Sequence, residues 1–220
     1  MYNRRRQFYN IKRMIGLIRV RLPGGESVKR QRSLGQYRAI DLALFAVLTV
    51  IFEFVATKAG LAMPYAPYLL SVTPVLTAVV MMRWGLWGAI HAALGGIVYC
   101  FAAGLEPAGQ WYLICGAGNL LGVAALGLLR YLGWEKVREK TLLTLLYGAL
   151  VHLLMQIGRS ALMLILGAGS AQVVNLAMME AVTLLFTLVL MWIVRRVDGL
   201  FEDQRHYLRR VSREEEEGGF

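Results

Sequence analysis

Three charged side chains stand well inside apolar stretches of this 220-residue chain, away from their ends: Glu53, Arg159 and Glu180. An arginine keeps its charge at any ordinary pH. Charges at membrane depth are costly and therefore rare, so each is a functional candidate by default. His152, Gln156 and Arg159 follow at i, i+4 and i+7, one stripe of a helix that must face protein or water. Asn119 and Asn175 add amides in neighbouring apolar runs. Acid, base and amide together suit non-covalent recognition of a polar or zwitterionic solute. The alternatives are an Arg159–Glu180 pair that only locks helices together, or a proton relay through Glu53 or Glu180. Covalent chemistry has no equipment here: there is no HExxH, no GxSxG elbow and no glycine loop with a Walker lysine. We therefore assign no catalytic residue, no cofactor and no metal ligand, and read His91 and His152 as packing or hydrogen-bonding side chains.

The elements that must position these residues are apolar runs of near-membrane length. The chain is 57% hydrophobic, and a bilayer crossing needs about 20 apolar residues. Six runs fit: Ala39–Ala59, Pro67–Met82, Trp84–Ala103, Trp111–Leu132, Leu142–Leu166 and Ala171–Val194. The second lies near the lower limit of length. With almost no polar alternation, the runs predict helices and exclude a membrane β-barrel. The expected fold class is an all-α integral membrane protein with six transmembrane helices.

Charge placement orients it. The net charge is +10, and the first 38 residues hold 11 Lys or Arg against Glu26 alone. Arg83, the link RYLGWEKVREK and the tail after Trp192 are also basic, whereas KAGLAMPYA, GLEPAGQ and GAGS share one lysine, Lys58. This alternation places both termini in the cytoplasm and makes nucleic acid an unneeded partner. Arg159, Glu53 and Glu180 then lie at one level, about 10–14 Å below the outer surface by helical rise, with Asn119 and Asn175 in the same outer half. Tyr65, Tyr68, Tyr99, Trp111 and Tyr112 surround the mouth of this level. They are interfacial aromatics, of which Tyr68 and Trp111 are candidates to cover a bound ring.

The domain organisation follows: residues 1–35 as a basic cytoplasmic segment, 36–194 as the membrane domain, and 195–220 as a cytoplasmic helix and acidic tail. In the first segment Phe8, Ile11, Ile15, Ile18 and Leu22 share a side, which predicts either a helix on anionic membrane lipid or a disordered basic tail. No signal peptide is visible. Small residues recur at four-residue spacing at Gly88, Ala92 and Gly96, at Gly118 and Gly122, and at Ala177 and Ala181, where helices can approach closely. Cys100 and Cys115 flank the GLEPAGQ hairpin; free thiols are expected, with a bridge as the alternative.

The plan of six spans, both ends inside and an outward pocket resembles the substrate-binding S components of energy-coupling factor (ECF) transporters. The stretches YLLSVTPVLTAVVMMRWGLWGAI (Tyr68–Ile90) and VRRVDGLFEDQRHYLRR (Val194–Arg210) are similar to members of that family in Gram-positive bacteria. The family's AxxxA motif, which faces the transmembrane coupling subunit, falls on Ala39 and Ala43. The resemblance implies a multi-pass protein of the bacterial plasma membrane that binds a vitamin or similar small-molecule micronutrient from outside. Its partners would be the ECF coupling subunit and two ATPase subunits, and it would topple in the membrane to release its cargo. Solute contacts are then expected from Arg159, Glu180, Glu53, Asn119, Gln156, Asn175, Tyr68 and Trp111.

Two rival readings use the same spans: a structural membrane protein of the MreD type, and a small proton-coupled transporter. A pocket of several hundred cubic ångströms reaching the outer surface is in the usual range for small-molecule sites and favours solute binding. An Arg159–Glu180 pair enclosed without an adjoining cavity favours the scaffold.

Overall fold

The computed structural model describes residues 34–63, 68–197, 200, 201 and 204. Contacts divide the chain into residues 1–37, of which only the helical residues 34–37 are described, and residues 38–220, which hold everything below. The expected N-terminal surface helix, residues 64–67 with Tyr65, and most of the expected C-terminal helix lie outside the described residues.

The described residues are mostly helical, with no strand among them, and five stretches are long and apolar enough to cross a membrane. Where no water is available, a helix satisfies its own backbone, so apolar runs of this length leave it little alternative. Helix α1 covers Leu34–Leu61. Helix α2 covers Thr73–Trp84, a turn follows at Gly85–Trp87, and α3 covers Gly88–Ala103. The third stretch, α4, runs Ala108–Leu132. A short α5 (Trp134–Glu139) leads to α6 (Thr141–Ile165), and the last stretch divides into α7 (Ser170–Met179) and α8 (Ala181–Val194).

Thr73–Ala103 is long enough to count as one span, yet it is folded back on itself. Gly85 has φ +65°, a conformation that side chains with a Cβ rarely adopt, and it ends α2. The two arms pack antiparallel: Thr73 fills the space beside Gly95, and the Thr77 carbonyl comes within 3.1 Å of where a Cβ on Gly88 would lie. The second predicted run also starts late. Residues 68–72 are not helical; Pro74, in the first turn of α2, suits a helix start.

Close crossings set the rest of the bundle. The middle of α4 widens into a π turn over Leu113–Ala117 and then tightens over Leu120–Ala125. There Gly118 lies against the backbone of Arg159, with 2.8 Å between the Arg159 Cα and a Cβ built on Gly118, while the Gly118 carbonyl occupies the corresponding space at Gly158. Only glycine permits that approach. Gly148 of α6 makes room for the side chain of Met191 of α8, whose Cγ comes within 2.6 Å of where a Cβ would lie. At the opposite end, Arg83 grips Asp41 of α1 with two bonds of 2.8 and 2.9 Å, and the Trp84 indole N–H adds a third at 2.6 Å. Arg83 also donates to the Leu200 carbonyl at 3.5 Å.

Candidate functional site

The polar side chains collect where α1, α6 and the α7–α8 break meet the irregular segment 68–72. Arg159 sits on the inward stripe of α6 with His152 and Met163, all buried. Its Nη2 donates to Glu180 Oε2 at 2.5 Å, and the residues are only 7% and 4% exposed. Glu180 occupies the break between α7 and α8. A buried pair of this kind offsets its desolvation only with close geometry, and removing one partner strands the other charge.

The segment 68–72 covers this pair. The Leu69 N–H donates to the Met179 carbonyl at 3.1 Å, and the Thr183 hydroxyl donates to the Leu69 carbonyl. Both backbone polar groups of Leu69 are thus held by residues on either side of Glu180. Irregular backbone in an apolar bundle must be satisfied by protein or line a cavity; here neighbouring helices do the first.

Glu53 anchors the other end of the segment. Its Oε2 accepts from the Val72 N–H at 2.9 Å, the Thr73 N–H at 2.9 Å and the Thr73 hydroxyl at 2.8 Å. Without it the Val72 N–H would be orphaned and the Thr73 N–H left with the Ser71 hydroxyl at 3.2 Å, and Val72 supplies no side-chain cap of its own. A carboxylate from another helix takes that role and lies favourably against the positive end of the α2 dipole. Glu53 is eight residues before the end of α1, so the start of α2 lies about 12 Å below that end by helical rise.

A cavity of about 10 Å³ remains beside the pair, lined by Leu69, Ser71, Tyr99, Arg159, Glu180 and Thr183 among others. That is room for one water. A larger cavity, about 210 Å³, lies one turn further along α6, between Trp111 at the start of α4 and Gln172 in α7. The cavity beside Arg159 is thus far smaller than the expected outward pocket of several hundred cubic ångströms, with the covering segment and the short ion pair packed around it.

The remaining predicted residues distribute around this centre. Asn119 is buried and donates to the Ala92 carbonyl at 3.1 Å, tying α4 to α3. Gln156 is half-buried and donates to the Ala177 carbonyl at 3.1 Å. Asn175 is exposed on α7, outside the enclosed cluster. Tyr68 begins the covering segment and is 39% exposed, and Trp111 lines the larger cavity. Ala39 and Ala43 are exposed on α1. His91 places its Nε2 3.2 Å from the Leu42 carbonyl, while Cys100 and Cys115 are free thiols, the first donating to the Trp111 carbonyl at 3.3 Å.

Sequence reasoning missed Thr183, Leu69 and Ser71, and it placed Tyr99 in the aromatic belt rather than beside the pair. A signal existed for Thr183: with Thr187 and Met191 it forms a buried stripe at i, i+4 and i+8 of α8. Asp41 was missed as well, although it is an acid at the start of an apolar run.

No family model matches this chain, and no curated protein or solved structure was found to match it.

Proposed function

We propose that this chain is the substrate-binding S component of an ECF-type micronutrient importer, with six bilayer crossings and both termini in the cytoplasm of a bacterial cell. The observation that carries the reading is the buried Arg159–Glu180 pair lying under a non-helical segment, residues 68–72, at helix depth. A pair meant only to join helices needs no irregular cover. A solute site that closes after release needs one, and it needs charged groups that exchange protein partners for solute. In this reading α2 and the segment before it complete the short second crossing, and the exposed Ala39 and Ala43 of α1 meet the coupling subunit. Two cytoplasmic ATPase subunits drive the cycle.

A second reading, the structural scaffold, draws support from the tightness of the pair, whose adjoining cavity holds no more than one water. Mass spectrometry of small molecules released from detergent-purified protein separates the two. A defined metabolite carried by the wild type and lost from Arg159→Ala and from the milder Thr183→Val supports the S component. Empty preparations, together with capture of cell-wall proteins in place of a coupling module, support the scaffold.

A further inference from the structure

The 210 Å³ cavity contains no charged side chain. Trp111 and Ile114 from the start of α4, Met163 from the end of α6, Gly167 from the turn after it, and the amides of Gln110 and Gln172 at its rim define its character. Met163 stands four residues after Arg159 on the same buried stripe, and the same apolar cluster contains Met163, Ile114 and Tyr99. A layer of side chains thus separates this chamber from the ion pair. Met163 is the adaptable member of that layer, since an unbranched thioether repacks at little cost.

We propose that this chamber receives the ring of an uncharged, single-ring solute bearing an amide-like group, which enters here before it reaches Arg159. The inference rests on reading the chain as a solute-binding subunit. Three observations set the class. The volume, about 210 Å³, is somewhat above the roughly 150 Å³ of an apolar cavity that takes up benzene, which suits one ring and not a fused system with a long tail. An indole and an isoleucine give a flat apolar wall for such a ring, while two glutamine amides offer donors and acceptors at the rim, the Gln172 oxygen already accepting from the Gly169 N–H at 3.3 Å. The charge below is already balanced: Glu180 neutralises Arg159 at 2.5 Å, so a lone anion or cation brought down to it would be buried without a counter-charge of its own. A neutral solute, or one with internally balanced charge, avoids that cost. Met163 moves aside as the ring descends.

The test uses three probes of one shape, benzamide, benzoate and benzylamine, with saturation-transfer NMR on the full chain in detergent at millimolar concentration, the affinity range expected of fragments this small. The expected result is a saturable benzamide signal several-fold stronger than either charged probe. It is lost in Trp111→Ala and in Gln172→Trp, the latter an exposed position where a larger side chain blocks the rim and gives up only an exposed bond from the Gly169 N–H. Equal or stronger binding of benzoate or benzylamine overturns the class. A benzamide signal untouched by both variants, or no saturable signal, overturns the chamber. A metabolite that co-purifies with the protein while benzamide ignores both variants would leave the S-component reading standing and remove this one. Benzamide binding at the chamber in a protein that carries no metabolite and captures no coupling module would do the reverse.

Discussion

A single oxygen of Glu53 on α1 accepts both the backbone N–H and the side-chain hydroxyl of Thr73, the first residue of α2, at 2.9 and 2.8 Å. The charge that looked like a ligand contact in the sequence is spent on the protein's own backbone, which fixes where α2 begins and holds the segment over Arg159.

Removing that carboxylate tests its structural role. Hydrogen bonds to charged groups contribute about 1.5–3 kcal/mol each, and the three at Glu53 share one oxygen, so Glu53→Ala is expected to cost about 3 kcal/mol in total. Glu53→Gln keeps a carbonyl acceptor and should lose less. Unfolding in detergent measures both, and hydrogen exchange should rise at residues 69–75 in the alanine variant. Equal losses in the two variants would mean that a neutral acceptor cannot stand in for the carboxylate, whereas an unaffected Glu53→Gln would mean that the charge contributes nothing beyond an acceptor.

The Arg159–Glu180 pair predicts non-additivity. Arg159→Leu or Glu180→Leu alone strands a buried charge and should cost about 3–5 kcal/mol, while the double variant should cost less than either. A double-mutant cycle on detergent unfolding measures the coupling. The double variant also divides function from architecture, because it should remain folded yet retain no solute.

At the crossing of α4 and α6 there is no room for a side chain. Gly158→Val should force the two backbones apart and cost about 1–3 kcal/mol, the usual range for overpacking. Gly109→Ala, where nothing lies within 4 Å of the added Cβ, is the control and should change stability by less than about 0.5 kcal/mol. Thermal unfolding of the two variants side by side checks the contrast.

Ala39 and Ala43 predict a separation of activities. Both are exposed on α1, so Leu at each position should leave stability and solute retention intact while weakening capture by an ECF coupling module several-fold in a pull-down. Loss of both activities together would show that these positions matter for internal packing instead.

The helices were legible because hydropathy over about 20 residues reports directly on what a bilayer demands. The facing of Arg159 and Glu180 was legible too, since each residue's depth follows from helical rise and the stripe through His152 and Gln156 sets a direction. Direction relative to other helices is harder to read. Asn175 has the right depth and is exposed; Glu53 has the right depth and turns to backbone N–H groups that no side-chain pattern reveals. The segment 68–72 escaped for a related reason. YLLSV is apolar enough to pass for helix, and only the tertiary partners Met179, Thr183 and Glu53 make a non-helical path affordable there. Leu69 offers a peptide group to the site, and peptide groups are identical at every position of a sequence.

The short α2 also bears on how the chain is made. Twelve residues of helix rise about 18 Å, well under the roughly 30 Å of hydrocarbon that a self-sufficient segment must cover. Alone, α2 is too short to cross, and its leading N–H groups find only the Ser71 hydroxyl until the carboxylate of α1 reaches them. The hairpin closed at Gly85 is therefore the smallest piece that can partition into lipid here, and it must do so beside a helix already waiting. The order of insertion is written into one glutamate.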